Sequence, residues 1–518
     1  MTATKSLYAA RVPIFPRRVS GRFRNLKWVI MAVTLGIYYL TPWIRWDRGP
    51  NLPDQAVLVD LANRRFYFFW IEIWPHEFYF VAGLLVMAGL GLFLFTAALG
   101  RVWCGYACPQ TVWTDLFLKV ERWVQGDRNA RLRLHQAPWT ARKIRLKLTT
   151  WSLWLMIAVA TGGAWVFYFA DAPTLARDLA TLQAPGVAWA TIALLTATTF
   201  VFGGFMREQV CIYMCPWPRI QGAMMDEGTL TVAYRDWRGE PRGKGLRRRE
   251  RAEAAEAATR AAGPRIGGRS PVIPMQVRGA TAVAQPAAPA PAVPGAAGDC
   301  IDCNACVNVC PMGIDIRDGQ QMACITCALC IDACDEVMDR IGRPRGLIDY
   351  VALSDAPREA AGGAPIAAWR HAMRPRNFVY AGLWSAVGIA LVVLLFIRPE
   401  IEMTVAPVRN PTFVTLSDGS IRNAYDVRLR NKHGEARDFA LATGEAMAGR
   451  LALSVEGSTD AAVTVPADTQ GRVRVYLTAP PGSAPATADR TEVRLWAQDR
   501  ESGERAFVDT TFNGRETP

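Results

Sequence analysis

The chain has 518 residues, of which 51% are hydrophobic and 20% charged, and its formal net charge is +13. This length exceeds one ordinary domain, and abundant apolar residues with an excess of Lys and Arg argue against a single large soluble core. The basic residues flank apolar segments, as the positive-inside rule of membrane proteins requires, so we expect no nucleic-acid partner.

Five segments without charged residues approach the ~20 residues that a helix needs to cross ~30 Å of hydrocarbon. They are Trp28–Ile44, Phe78–Gly100, Leu148–Ala170, Gly186–Met206 and Asn377–Ile397. Buried core helices are the alternative, but soluble helices of this length usually carry a charged face. The sequence therefore predicts five transmembrane helices.

The distribution of Lys and Arg predicts the orientation of these helices. The N-terminal arm and residues 101–147 are rich in basic residues, whereas residues 171–185 contain only Arg177. Basic loops stay on the cytoplasmic side of a membrane. We therefore expect a cytoplasmic N-terminus, five crossings and a C-terminal region on the opposite side.

A change in composition marks a linker between the fourth and fifth spans. ERAEAAEAATRAA predicts a short polar helix, and residues 263–298 are rich in Ala, Pro and Gly. Such a segment has little apolar surface to bury. We predict a disordered or polyproline-like tether there.

After the tether come two runs of the form C-x₂-C-x₂-C-x₃-C. In such runs, the first three thiolates hold one [4Fe–4S] cluster and the fourth holds the other. Zinc is the alternative, but it favours pairs of C-x₂-C motifs. The assignment is Cys300, Cys303, Cys306 and Cys334 for one cluster, and Cys324, Cys327, Cys330 and Cys310 for the second. Asp335 stands where a proline often follows the last cysteine, and a nearby carboxylate could lower a cluster's potential.

Four further cysteines occur in two copies of C-x-Y-x-C-P, within VWCGYACPQ and VCIYMCPWP, and they are Cys104, Cys108, Cys211 and Cys215. Each copy follows a predicted span. Residues four apart share one face of a helix, so each pair could chelate a soft metal ion or form a disulfide. The proline should end or kink that helix. Small packing residues are the alternative, which the repetition of the motif disfavours.

The repeated motif also predicts that the spans form two parallel repeats. A pseudo-two-fold axis along the membrane normal would bring the four thiols together at the cytoplasmic interface, near the ferredoxin runs. A single copper ion, a small copper cluster or a reversible dithiol could occupy that site.

The chain offers little for other redox groups. Its four histidines lie outside the span interiors, which disfavours a bis-histidine membrane haem, and they are His76, His135, His371 and His433. No G-x-G-x-x-G fingerprint follows a predicted strand, which disfavours a nicotinamide or flavin domain. Electrons must therefore enter from a partner protein or a quinol.

Residues 398–518 alternate apolar and polar residues in seven or eight short segments separated by turn signals such as SDG and PPGS. This pattern predicts a β-sandwich. The region contains no cysteine, which excludes a disulfide-bonded immunoglobulin domain. A docking module is the expected role.

The motifs REQVCIYMCPWPRIQ, LTVAYRDWRGEPRGK, CIDCNACVNVCPMGIDIRDG and CIDACDEVMDRIGRPRGLIDY resemble those of the CcoG/FixG/RdxA family of cytochrome c oxidase accessory proteins. The likeness covers nearly the whole chain, although the tether looks like an insertion. It implies a membrane polyferredoxin of the bacterial inner membrane with a C-terminal immunoglobulin-like domain. It also implies a cupric reductase that delivers copper for maturation of cbb3-type oxidases.

The resemblance also implies partners: oxidase assembly factors, a copper chaperone or copper-transporting ATPase, membrane lipid and an unknown electron donor. A homo-oligomer is left open. Copper would be the substrate or a transient ligand at the four motif cysteines, which would be catalytic. Two alternatives remain, namely a NapH/NosR-like electron conduit between quinol and a partner redox protein, and a non-redox oxidase assembly scaffold.

The predicted fold class is thus a five-helix membrane protein with a bacterial-type two-cluster ferredoxin domain and an all-β sandwich. The predicted segments are 1–27, a cytoplasmic basic arm; 28–206, four transmembrane helices in two repeats; 207–298, a cytoplasmic connector with the linker; 299–350, the ferredoxin domain; 351–376, a second cytoplasmic connector; 377–397, the fifth transmembrane helix; and 398–518, the periplasmic immunoglobulin-like domain.

Overall fold

The computed structural model describes residues 12–49, 52–243, 298–398, 401–458, 460–467 and 469–515. The predicted polar helix ERAEAAEAATRAA and all but the last residue of the tether lie outside the described residues. The chain divides into two units, one of Met1–Pro42 with Pro75–Gly388 and one of Trp43–Trp74 with Ile389–Pro518.

Helices dominate the first unit, and the last of them, Pro375–Ile397, continues into the second. They are α1 Arg22–Leu40, α2 Tyr79–Leu99, α3 Val102–Tyr106, α4 Pro109–Gln125, α5 Arg128–Gln136, α6 Ala141–Val166, α7 Ala172–Ala180, α8 Gly186–Thr199, α9 Trp217–Met224, α10 Asp236–Gly239, α11 Ala305–Val309, α12 Leu329–Arg340, α13 Ala356–Ala360, α14 Ala368–Ala372 and α15 Pro375–Ile397. Two π-helical segments follow α8, at Phe200–Met206 and Val210–Met214. Short 3₁₀ turns lie at Thr41–Trp43, Pro75–Glu77, Ile316–Asp318 and Leu353–Asp355.

Within the described residues, three helices rather than the predicted five are long and apolar enough to cross a membrane: Tyr79–Leu99, Gly186–Met206 and Pro375–Ile397. The predicted spans Trp28–Ile44 and Leu148–Ala170 fall short of that measure. Helix α1 ends at Leu40 and begins with a basic turn that extends to Lys27, so its apolar part is short. Helix α6 ends at Val166, and its apolar part contains Ser, Thr and Gly.

Residues 101–147, predicted only as a basic loop, contain helices α3, α4 and α5 and the start of α6, and α4 carries two buried acids. Asp115 of α4 pairs with Arg24 at 2.9 Å and with Lys27 at 3.5 Å, and all three side chains are nearly fully buried. Glu121, one and a half turns further along α4, pairs with Arg131 and Arg207. These pairs join α4 to α1, to α5 and to the end of the span that begins at Gly186.

The first predicted connector pairs with the junction of the predicted ferredoxin domain and the second connector, in a small antiparallel sheet that the sequence reading missed. Strand β4, Leu230–Tyr234, pairs with β5, Ile348–Ala352, so that Leu230 faces Ala352 across the pair. Most residues of both strands are buried. The sheet therefore ties the chain before the tether to the chain after the ferredoxin runs.

The C-terminal region forms two antiparallel sheets, as predicted. Their nine strands, counted in the described part, exceed the seven or eight expected, because one is only two residues long. They are β6 Ile401–Pro407, β7 Val414–Thr415, β8 Ile421–Asn431, β9 Arg437–Thr443, β10 Ala452–Val455, β11 Ala462–Val465, β12 Gln470–Ala479, β13 Arg490–Asp499 and β14 Arg505–Asn513. A short helix, α16, spans Ala484–Thr487, and a 3₁₀ turn spans Glu445–Met447.

The strand order is β10-β12-β8-β6 in one sheet, with β7 also on β8, and β11-β9-β13-β14 in the other. Alternate residues of β8 are buried, as expected for a strand with one face in a core. Tyr425, Phe439 and Phe512 are fully buried in the core that both sheets share.

A second small sheet, also missed from sequence, precedes the second predicted span. It consists of β1 Val57–Asp60, β2 Arg65–Phe68 and β3 Ile71–Ile73. Trp43, Trp46 and Trp70 are exposed, whereas Trp74 is only 5% exposed. The guanidinium groups of Arg65 and Arg430 lie 3.8 Å and 5.0 Å from the centroid of the Trp74 ring, and both cover it.

Candidate cysteine site

The two ferredoxin runs share one local backbone. In the first run Asp302 and Asn304 have φ of 52° and 57°, and in the second Thr326 and Ala328 have φ of 51° and 59°. Non-glycine residues rarely adopt positive φ. Positive φ recurs at equivalent positions of the two runs, just before helices α11 and α12. This recurrence indicates that the two loops wrap around groups of the same shape.

The described side chains bring the ferredoxin cysteines together in two groups. The Cys334 thiol interacts electrostatically with those of Cys306, Cys303 and Cys300. The Cys310 thiol, from the first run, interacts instead with Cys327 and Cys324 of the second. The fourth cysteine of each run thus lies with the other run.

The second quartet lines a cavity that Cys306 of the first quartet also borders. Its walls include Cys310, Cys324, Cys327 and Cys330, together with apolar side chains such as Ile325. Burial raises the pKa of the Cys310 thiol to about 12 and that of Cys324 to about 11. Thiolates at this site therefore need a cation, which cluster iron would provide, so the residues fit a [4Fe–4S] centre that carries one electron at a time.

Residues around the first run, which sequence reasoning missed, hold its loop in place. The Arg317 guanidinium donates to Asp302 at 2.7 Å, to Asn304 and to both carboxylate oxygens of Asp315. Arginine is suited to such multiple contacts because its five donors form a rigid fork. The signal that the sequence offered was a basic residue, Arg317, a few positions after Cys310, the last cysteine of the run.

Asp335, the departure from the usual proline, has a structural partner. Its Oδ1 accepts a hydrogen bond from the backbone N–H of Gly346 at 3.0 Å. Burial raises the pKa of this carboxyl group, and that hydrogen bond opposes the rise. The residue thus fixes the turn that leads into β5.

The two C-x-Y-x-C-P motifs do not form continuous α-helices, contrary to prediction. Cys104 lies in α3, and Cys108 is the residue that caps the start of α4, with extended backbone. Cys211 lies in a π-helical segment that ends before Cys215. Pro109 occupies the first turn of α4, where its missing N–H costs nothing, so it starts a helix rather than ending one.

The structure nevertheless brings the four motif thiols together. The Cys104 thiol interacts electrostatically with Cys108, Cys211 and Cys215, and it donates a hydrogen bond to Oε1 of Gln221 at 2.9 Å. Burial, and next the neighbouring Cys108 thiol, raise the pKa of Cys104 to about 12. We name Cys104, Cys108, Cys211 and Cys215 the four-thiol group.

The four-thiol group packs against the loop of the second run. A Cβ at Gly105 would lie 2.6 Å from the Ile325 carbonyl oxygen and 3.0 Å from Cα of Cys327. Cys104 and Cys211 pack on the same apolar cluster as Ile325 and Cys327. Only a residue without a side chain permits this approach.

Arg101 joins the three segments. Its guanidinium donates to the Cys324 carbonyl at 3.1 Å, and also to the carbonyls of Met322 and Pro218. One side chain thus ties the first C-x-Y-x-C-P motif to the second motif and to the second ferredoxin run. Arg101, Gly105 and Gln221 were not identified from sequence, because their partners are distant along the chain.

Among the described residues, no group of three or more His, Cys, Asp or Glu side chains converges so as to hold a single metal ion. The two ferredoxin quartets share this property with the four-thiol group. Cluster ligands surround a body of several atoms rather than converge on one ion. A single ion at the four-thiol group would thus need two of the thiols, or a local rearrangement.

Replacing Gly105 by alanine should destabilise this packing. The new methyl group would press on backbone atoms of Ile325 and Cys327 that cannot rotate away. We expect a cost of about 1–3 kcal/mol, seen as a lower thermal midpoint together with faster loss of iron. Gly163→Ala in α6, where an added Cβ meets nothing within 4 Å, is the matched control. Equal behaviour of the two variants would contradict the close contact.

Family models match most of the regions described above. A 4Fe-4S dicluster domain matches residues 206–266 and 285–353, and a 4Fe-4S binding domain matches residues 80–131. The immunoglobulin-like fold at the C-terminus of FixG matches residues 391–515.

Curated relatives match along the whole chain. Protein RdxB of Cereibacter sphaeroides is 63% identical over 99% of this chain and 98% of its own length. Protein RdxA of the same organism is 61% identical, over 99% of both chains. The nitrogen fixation protein FixG of Rhizobium meliloti is 51% identical over 98% of this chain and 94% of its own. The chain belongs to the FixG/RdxA family.

Membership in the FixG/RdxA family identifies the chain as an iron–sulfur electron-transfer protein associated with a membrane. The match over residues 80–131 also bears on the four-thiol group, because it includes Cys104 and Cys108. These thiols therefore have two possible assignments. They bind copper, or they hold a resident iron–sulfur centre.

Proposed function

We propose that this FixG/RdxA-family protein reduces Cu(II) to Cu(I) at the four-thiol group, for maturation of a cbb3-type cytochrome c oxidase. Each Cu(II) substrate gains one electron, and the iron–sulfur pair of the chain loses one. Thiolates favour Cu(I), so the product would stay bound until it is transferred.

The observation that carries the proposal is the contact between the four-thiol group and the second ferredoxin run. Gly105 lies between Cys104 and Cys108 and touches the loop of Cys327. Electrons need no other protein to travel from that run to the thiols. The burial of Cys104 also supports metal binding, since a cation would relieve the cost of a buried thiolate.

The proposal includes the sidedness of the membrane. Cys104 follows the apolar helix Tyr79–Leu99, Cys211 follows the apolar helix Gly186–Met206, and the two thiols interact electrostatically. The chain must return between them, which supports a further crossing by α6 despite its polar residues. With α1, the chain would cross the membrane five times. The four-thiol group would then be cytoplasmic and the sandwich periplasmic, as the basic residues that flank the apolar helices predict.

The proposed partners follow from this arrangement. A copper chaperone or a copper-transporting ATPase would take Cu(I) from the cytoplasmic side. The sandwich, which has no cysteine, would contact oxidase assembly factors on the other side. Membrane lipid would surround the apolar helices.

The test is anaerobic mixing of Cu(II) with purified protein that has been reduced chemically. We expect Cu(I) to form as the iron–sulfur absorbance shifts to that of the oxidised protein. Replacing Cys104, Cys108, Cys211 and Cys215 by serine should slow Cu(I) formation by at least ~100-fold, because the substrate loses its ligands. An equal rate in parent and variant would sink the proposal.

Iron analysis of the same two proteins separates the two assignments of the thiols. If copper is the substrate, parent and variant both contain about eight iron atoms per chain, as two [4Fe–4S] clusters require. About twelve iron atoms in the parent and eight in the variant would assign the thiols to a resident third cluster instead.

A further inference from the structure

A cleft of about 340 Å³ opens beside the β4–β5 sheet in the first unit. Its walls come from the start of α1, the end of α2, the sheet, and helices α13 and α14. Apolar and aromatic side chains line much of it, including Phe23, Leu99, Val102, Tyr350 and Ile366. Ala368, His371 and the charged residues Arg22, Arg235, Asp349, Asp355 and Glu359 line the rest. The volume is within the range of sites for cofactor-sized molecules.

One wall of the cleft carries a buried acid–base pair. His371 Nε2 lies 2.8 Å from Oδ2 of Asp355, and the two side chains are only 8% and 11% exposed. The Arg374 and Asn377 side chains both donate to the His371 carbonyl at 3.1 Å, which fixes the backbone that carries the imidazole. Neither the iron–sulfur runs nor the four-thiol group uses this pair.

Another wall of the cleft contacts the second ferredoxin run. The Tyr350 hydroxyl donates to the Thr326 carbonyl at 2.8 Å, and Thr326 lies between the cluster cysteines Cys324 and Cys327. The Phe23 ring packs on Tyr350 with centroids 5.5 Å apart, giving an aromatic wall. A ring bound there would be one side chain away from the cluster loop.

We propose that this cleft binds a quinol, which reduces the iron–sulfur centre held by Cys310, Cys324, Cys327 and Cys330. The inference rests on the iron–sulfur part of the proposed function and not on its copper step. The quinol loses two electrons and two protons and leaves as the quinone. The two clusters of the chain take one electron each.

His371 is the proton acceptor. Because the Asp355 carboxylate lies 2.8 Å from Nε2, we assign the proton of the neutral ring to Nε2 and the role of acceptor to Nδ1. It takes one phenolic proton and releases it to water before it accepts the second. Asp355 positions the imidazole and stabilises the imidazolium ion that forms.

The chemistry of the cleft selects a quinol over other two-electron donors. Aromatic and aliphatic side chains suit its ring, and most charged residues of the lining are paired with one another, as Arg235 is with Glu359 and Asp349. Leu99 ends an apolar helix long enough to cross a membrane, where a lipophilic carrier would be found. A nicotinamide would need a phosphate-binding glycine-rich loop, and the sequence has no such fingerprint after a strand.

The first test measures binding. Purified holoprotein in detergent would be dialysed to equilibrium against decylubiquinone, a soluble quinone, without copper. Ala368→Trp adds a bulky side chain at an exposed lining position and should weaken binding at least ~10-fold. Ala360→Trp, on an exposed position of the neighbouring helix outside the lining, is the control. No saturable binding, or equal binding by Ala368→Trp, would overturn the proposal.

The second test measures electron entry, again without copper. Oxidised holoprotein would be mixed anaerobically with menadiol, a low-potential naphthoquinol, while the iron–sulfur absorbance is followed. His371→Gln keeps the side-chain size but removes the base, so decylubiquinone binding should persist while reduction slows ~100-fold or more. His135→Gln, an exposed histidine of α5, should reduce at the parental rate. An equal rate for His371→Gln would contradict the role of the base.

The outcomes separate the two proposals. Chemically reduced protein tests the copper step without any quinol, and menadiol tests the cleft without any copper. Reduction by menadiol with no Cu(I) formation would remove the copper function and keep the quinol site. The reverse pattern would remove the quinol site and keep the copper function.

Discussion

Replacing Cys310 and Cys324 together by serine should leave about half of the iron in the protein, about four atoms per chain. Cys310 belongs to the first run, but its thiol lies with Cys327 and Cys324 of the second. If it serves that second centre, both substitutions damage the same cluster. The centre of Cys300, Cys303, Cys306 and Cys334 should stay intact, and iron and sulfide analysis with electron paramagnetic resonance would measure it.

The contrasting variant combines Cys306→Ser with Cys324→Ser. These residues lie in different quartets, so this protein should lose nearly all of its iron. If each run held its own cluster, both double variants would lose both clusters and would be indistinguishable. Similar iron contents near zero would therefore refute the crossed ligation.

Asp115→Asn should destabilise the first unit by about 3–5 kcal/mol, because it leaves the buried cations Arg24 and Lys27 without their counter-charge. Asparagine has nearly the same volume, so the loss reflects charge rather than packing. The thermal midpoint of iron release from holoprotein in detergent would measure it. The exposed pair of Asp339 and Arg345 provides the control, and Asp339→Asn should leave the midpoint unchanged.

The same site predicts sensitivity to acid. Burial alone would raise the pKa of Asp115, but Lys27 and then Arg24 outweigh it and hold the pKa below its usual range. A carboxyl with a lowered pKa contributes stability above its unfolded pKa of about 4 and loses it as the pH falls further. The parent should therefore lose stability below about pH 4, and Asp115→Asn should lose less over that interval. Parallel curves for the two proteins would assign the acid sensitivity to other groups.

Local patterns made much of this protein readable from sequence. Apolar length identified Tyr79–Leu99 and Pro375–Ile397, since a helix must match the thickness of the membrane whatever surrounds it. The spacing of the eight ferredoxin cysteines predicted two quartets, since cluster ligation fixes the distance between ligands along the chain. Alternation predicted the sandwich, because a strand with one face in a core repeats every two residues.

Where sequence reasoning failed, the deciding interactions were distant or irregular. The C-x-Y-x-C-P motifs were read as regular helix, but Cys108 ends one helical segment and caps the next. The basic segment around Asp115 was read as loop, because its buried partners Arg24 and Lys27 lie about ninety positions earlier. A short window of sequence contains only one member of such a pair, so it cannot predict the contact.

The sequence by itself determined the chemistry of this protein: which thiols are available, how they are spaced, and which helices are apolar enough for a membrane. Only the tertiary structure decided which groups meet. It put Gly105 on the Cys327 loop, paired β4 with β5, and brought His371 and Asp355 together in a cleft beside Tyr350. Ligand type and hydrophobicity are properties of single residues, whereas contact depends on how the whole chain packs.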